Sequence, residues 1–179
     1  MTPSKELVFC RMDGTRVKLD PAALSQMLAF RQTRTCHPEA GGVLLGRYIV
    51  GCRDVVVDEV TIPMAGDWRL PFFFRRSHSR HQQVIDARWA ASRGTCQYLG
   101  EWHTHPEPIP GPSSTDIADW RRRLRTDRFD GDSLLFIIVG IREVRVWEGS
   151  RGDRAFTLLQ PAGGTELARG DSRGGGSVP

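Results

Sequence analysis

The residues best suited to chemistry lie in one stretch, Glu101-Trp-His-Thr-His-Pro-Glu-Pro-Ile-Pro-Gly-Pro-Ser-Ser-Thr-Asp116. Side chains on a strand alternate between faces, so His103 and His105 project to one side and Thr104 to the other. Ten residues separate His105 from Asp116, which falls in the first turn of a predicted helix and can aim its carboxylate back at the same point. Two imidazoles and one carboxylate are the protein ligands of a catalytic zinc, with a fourth position left for water. Imidazole with carboxylate suits zinc, and hydrolysis needs no redox change. Zinc of this kind lowers the pKa of its bound water to ~7, and the three ligands predict one zinc per chain.

Such a centre needs a base. Glu39 is the candidate, in Pro38-Glu39-Ala40-Gly41-Gly42-Val43-Leu44-Leu45-Gly46, just before a predicted strand whose glycines permit close approach of a neighbouring backbone. A carboxylate there can take a proton from water and pass it to a leaving amine. Ser113 stands three positions before Asp116 and can donate a hydrogen bond to a tetrahedral oxyanion.

Glu39, His103-Thr-His105, seven residues, Ser113, two residues and Asp116 together resemble the signature of the JAB/MPN (JAMM) metalloproteases. The resemblance covers about residues 16–147. It implies an α/β (α+β) fold, an MPN/JAB domain with a curved mixed β-sheet flanked by helices. It also implies His103, His105 and Asp116 as zinc ligands, Glu39 as general acid/base and Ser113 as oxyanion donor. The wording around the site, Phe72-Phe73-Phe74-Arg75-Arg76, His81-Gln82 and Gly100-Glu101-Trp102-His103-Thr104-His105-Pro106, is similar to the prokaryotic JAB branch, including the deubiquitinase-like proteases of CBASS anti-phage systems. The implied activity is a zinc-dependent isopeptidase. Its substrate would be a protein with an extended C-terminal tail, a ubiquitin-like or nucleotidyltransferase conjugate, with E1/E2-like conjugation enzymes as further partners. Two other readings stay open, a JAMM peptidase that processes a sulfur carrier and a non-catalytic MPN interaction module.

The elements that must position these residues are legible in outline. Residues 6–19 read as a hairpin around Asp13-Gly14. Asp20-Pro21 opens a helix with Asp as N-cap and Pro at the first position, running to about Thr33. Residues 41–50 and 54–62 read as a second hairpin, and residues 63–77 as a looser stretch. Ser77 or Ser79 caps a helix to about Ser92, ended by Gly94, with Val84, Ile85, Trp89 and Ala90 facing the core. Residues 96–105 read as a strand. Ser114 or Thr115 caps a helix over residues 116–125, and strands follow at 133–139, 143–148 and 155–159. The domain is expected to span residues 1–160, and the Gly/Ser/Arg-rich residues 161–179 to form a disordered tail.

The 179 residues suit one domain, and no apolar run approaches a bilayer span. Lacking a signal pattern, the N-terminus predicts a cytoplasmic protein, in which Cys10, Cys36, Cys52 and Cys96 are expected as reduced core thiols. A net charge of +4 without a nucleic-acid-binding motif argues for mild electrostatic steering rather than nucleic acid. The run Arg121-Arg122-Arg123-Leu124-Arg125 is expected as a solvated helix face, as are His78 and His81, while His37 reads as a loop residue. Glu101 shares the face of His103 and can either reach the cleft or form a salt bridge within the sheet. Trp68 and Phe72–Phe74 divide evenly between core packing and partner contact.

Overall fold

A computed structural model describes residues 6–163, and the expected tail from residue 164 onward lies outside them. Strands β1 (Leu7–Cys10) and β2 (Arg16–Leu19) form the first hairpin. The Asp13 carboxylate accepts the Thr15 amide at 3.0 Å, and Gly14 takes φ 83°, a conformation that favours glycine. Asp20 caps helix α1 (Pro21–Leu28) by accepting the Ala22 amide, and the helix buries Ala23, Leu24 and Met27. It stops short of the expected Thr33. The chain leaves it in turns, and Gln32 is carried into the interior, fully buried.

Strands β3 (Gly41–Tyr48) and β4 (Val55–Val60) pair antiparallel. The stretch expected to be loose contains a small separate hairpin, β5 (Trp68–Leu70) and β6 (Phe73–Arg75). Helix α2 (His78–Ala91) follows, then β7 (Gln97–Thr104), α3 (Ser114–Thr126), β8 (Ser133–Val139), β9 (Val144–Ser150), β10 (Phe156–Leu158) and β11 (Gln160–Pro161). Pro161 pairs with Phe9, so the sheet runs one residue beyond the expected domain limit. The large sheet has the order β10-β9-β8-β7-β3-β4-β2-β1-β11. It is mixed, because β2·β4 and β7·β8 are parallel and the remaining pairs antiparallel. The expected curved mixed sheet with flanking helices is what forms.

Strand β8 explains the longest apolar run in the sequence. Leu135, Ile137 and Val139 enter the core that contains the α1 residues, and Leu134, Phe136 and Ile138 enter the core that contains Trp120 and Leu124 of α3. A strand covered on both faces reads as continuous hydrophobicity rather than alternation.

Helix α2 departs from its expected packing. Trp89 is 56% exposed and Ala90 is also exposed, while Val84 and Ile85 are half-buried. The fully buried residue of α2 is His81, expected on a solvated face. Its Nδ1 lies 2.6 Å from the Thr61 hydroxyl and its Nε2 3.1 Å from Asp67 Oδ2, so both ring nitrogens are satisfied away from water. Of the four free thiols only Cys96 is buried, Cys36 and Cys52 being exposed. Among the described residues no helix is long and apolar enough to cross a membrane.

Candidate metal centre and active site

The strand β7 ends at the candidate ligands. His103 lies opposite Gly41 of β3, and the His103 and His105 Nε2 atoms converge to 3.1 Å. Asp116 reaches the same point from the first turn of α3, its Oδ1 3.3 Å from His103 Nε2 and its Oδ2 3.5 Å from His105 Nε2. The helix begins one residue earlier than expected at its cap. Ser113 is the N-cap, in a capping box with Asp116. The Ser113 hydroxyl and amide both donate to Asp116 Oδ2, at 2.6 and 2.7 Å, and the Asp116 amide donates back to Ser113 Oγ at 3.2 Å. The local rule that starts the helix therefore also fixes the carboxylate that faces the histidines.

These residues fit a zinc ion on their own geometry. Bonds of 2.0–2.1 Å at tetrahedral angles put neighbouring ligand atoms roughly 3.3 Å apart, close to the 3.1 Å between the two imidazole nitrogens and to the 3.3 and 3.5 Å that the two Asp116 oxygens make with them. A Glu39 carboxylate oxygen also lies within 4.8 Å of both histidine ligand atoms, so two overlapping triads share the histidines. Asp116 pairs with both histidines and Glu39 with neither, so His103, His105 and Asp116 are the candidate ligands and Glu39 the candidate base.

Electrostatics separate the two carboxylates. Burial pushes Glu39 up to about 7, opposed by the charge of His103 and reinforced by that of Asp116. Burial also acts to raise Asp116, but hydrogen bonds from His103 and Ser113 hold it well below the usual carboxylate range. Burial lowers His103, yet Asp116 outweighs it and the net shift is upward. His105 is shifted down by burial and by its neighbour His103.

A cleft of about 1140 Å³ opens from these residues between the β5–β6 hairpin and α3. Phe74 packs on the start of β3, where a Cβ on Gly41 would fall 2.5 Å from the Trp102 carbonyl and 2.6 Å from the Phe74 ring. A side chain there would push the hairpin away from the site. Trp68 and Phe72, 62% and 74% exposed, stand on the cleft wall, while Phe74 is partly covered.

Glu101 lines the cleft and is also salt-bridged, with Arg76 Nη2 at 2.5 Å and Arg123 Nε at 3.3 Å. Arg123, expected on a solvated face, is 8% exposed and also pairs with Asp119 at 3.2 Å. The other three arginines of that run are exposed. His37 is a loop residue as expected, and His78 is exposed at the rim. Gln32, Arg69 and Thr104 carry backbone-holding roles that sequence reading missed, because each depends on partners 30 or more residues away.

A nine-stranded mixed sheet that ends a His-x-His strand beside a capped aspartate defines the class. Residues 21–150 match the family of prokaryotic homologs of the JAB domain, and the chain belongs to that family. It is 34% identical over 160 residues to a protein of Vibrio cholerae serotype O1 named CD-NTase/cGAS isopeptidase, covering 89% of this chain and 97% of that one. Proteins of the same name from Pseudomonas aeruginosa (44% over 102 residues, 57% of this chain and 63% of that one) and Escherichia coli (30% over 146 residues, 82% and 88%) are also similar. A solution structure of a protein from Desulfitobacterium hafniense shares the fold, with TM-score 0.52 and 23% identity over 80% of this chain and 90% of that one.

Proposed function

We propose that this protein is a zinc-dependent isopeptidase that releases the C-terminus of a modifier protein from a target amine. The observation that carries the reading is the convergence of His103, His105 and Asp116 at 3.1–3.5 Å beside a buried Glu39. When bound there, zinc would supply a water of pKa ~7 and polarise the scissile carbonyl. Glu39, pushed up to about 7, can accept a proton and return it to a departing amine at neutral pH. Ser113 orients Asp116 and has a hydroxyl that can turn from that carboxylate to a developing oxyanion. A complete donor set argues against a non-catalytic scaffold.

The names of the relatives, CD-NTase/cGAS isopeptidase, support a CD-NTase conjugate as the substrate; a CBASS setting with E1/E2-like conjugation enzymes as partners is part of the same proposal. The test is a gel assay on a lysine-linked nucleotidyltransferase conjugate beside an unrelated unfolded peptide, with and without chelator. Intact modifier should be released, and chelator should stop the reaction. Rapid degradation of the peptide with no cut of the conjugate would overturn the reading.

The exposed aromatic residues of the hairpin are the proposed contact for the modifier. Trp68 and Phe73 meet edge-on at 6.4 Å, an exposed aromatic pair of the kind enriched at interfaces. Replacing both with Ala should raise KM for the conjugate roughly 10- to 100-fold and leave zinc content unchanged. An unaltered KM would place the contact elsewhere.

A further inference from the structure

Gln32 sits outside the cleft in the loop after α1 and is fully buried. Its Nε2 donates to the carbonyls of His37 at 2.8 Å and Pro71 at 2.9 Å. Two carbonyls can only be met by the NH₂ end of an amide, so the orientation is fixed. Gln32 Oε1 then accepts the Thr104 hydroxyl at 2.9 Å, and Thr104 Oγ1 accepts the Ala40 amide at 3.0 Å. The Thr104 amide donates to the Ala40 carbonyl at 2.8 Å. Every donor in this chain has one acceptor, and no other residue type of this length supplies two donors and an acceptor in the same plane.

The partners are not arbitrary. His37 lies two residues before Glu39 and Ala40 one after it, Thr104 lies between the two candidate histidine ligands, and Pro71 is in the turn of the β5–β6 hairpin. The hairpin also holds Glu39 directly. The Glu39 amide donates to the Leu70 carbonyl at 2.9 Å, and Arg69 Nε donates to the Glu39 carbonyl at 2.8 Å.

We infer that Gln32 is a positioning residue, the junction that locks the Glu39 segment to the His103–His105 strand and to the hairpin. The proposal rests on the peptidase reading for its catalytic consequence, but the mechanical junction can be measured without activity. Gln32→Met keeps the volume and removes all three hydrogen bonds. Zinc content and affinity in chelator competition should stay at the wild-type level. At a temperature where the variant is fully folded by circular dichroism, kcat should fall roughly 10- to 100-fold, as for a catalytic group misplaced by about 1 Å. KM should change by less than about threefold, because a positioning residue acts on the chemical step rather than on substrate binding. In a Glu39→Ala background the same substitution should cost nothing further.

Amide hydrogen exchange of the metal-free protein supplies the readout independent of catalysis. Exchange should quicken together at residues 39, 40, 70 and 72 and stay unchanged at residues 97–101. Exchange altered only beside residue 32, or quickened throughout β7 and β8, would overturn the proposal, as would weakened zinc binding or an equal loss of rate in the Glu39→Ala background. If Gln32→Met does not fold, Gln32→Asn, whose shorter amide cannot reach both sides, takes the same measurements. Should even the wild type cleave no conjugate, the exchange pattern alone decides the junction, and the failure falls on the peptidase reading.

Discussion

Replacing Glu39 with Gln is expected to leave about one zinc per chain while cutting turnover by ~10²- to 10⁴-fold, the contribution of one positioned general base. The expectation follows from distance. The contacts among His103, His105 and Asp116 run from 3.1 to 3.5 Å, whereas Glu39 makes no ion pair with either histidine among the described residues and stays protonated up to about pH 7. Loss of zinc along with activity would make Glu39 a ligand, and retained activity would require another base. The same substitution carries a stability signature. Burial raises Glu39 from 4.5 to about 7, so the folded metal-free protein holds this proton more tightly than the unfolded chain does. Stability is fully present below about pH 4.5 and is lost as pH rises towards 7. Gln never ionises, so the metal-free variant should be more stable than wild type at about pH 8 by on the order of 2–3 kcal/mol, with the gap closing at about pH 4. Thermal melts at the two pH values check the sign.

Replacing His103 with Ala should abolish zinc binding and activity together. The change removes one of three mutually contacting candidate ligands, leaving His105 and Asp116 as a pair, and two donors do not make a closed site. Ligand linkage gives a second measurement. Wild type at free zinc of about 1,000 times Kd should gain roughly 4 kcal/mol over its metal-free form, and His103→Ala should gain nothing. The helix cap at Ser113 and Asp116 is untouched by the substitution, so the metal-free variant should melt close to metal-free wild type. Full zinc by elemental analysis in His103→Ala would remove it from the ligand set.

The local part of this architecture was readable from residue order, and the long-range part was not. Asp20-Pro21, Asp13-Gly14 and the His-x-His alternation are decided within a few residues, and each appears where expected. His81 leaves the expected solvated face because its environment is made by Thr61 and Asp67, 20 and 14 residues away. Arg123 looked like its three arginine neighbours, yet it faces Glu101 across the cleft and the others face water. The β5–β6 hairpin has strands of three residues, too short to show alternation, and owes its place to Phe74 on Gly41 and to hydrogen bonds from Gln32 and with the Glu39 backbone. Gln32 carried no signal, since a single glutamine in a polar loop is ordinary until its partners are folded around it. For the candidate site, the ligands came from one contiguous motif, whereas the machinery that holds Glu39 against them is scattered over the chain.

The three candidate ligands all belong to one β7-α3-β8 unit whose two strands run parallel, spanning residues 97–139. Glu39 comes to it from a distant part of the chain, just ahead of the β3 strand that pairs with β7, where the Ala40 amide meets the Thr104 hydroxyl across 64 residues of chain. The two halves of the site therefore differ in contact order, and closing the longer loop carries the larger entropic penalty. Bringing the three candidate ligands together therefore closes a shorter stretch of chain than bringing Glu39 to them, and the docking of β3 on β7 is the entropically costlier of the two steps that assemble the site.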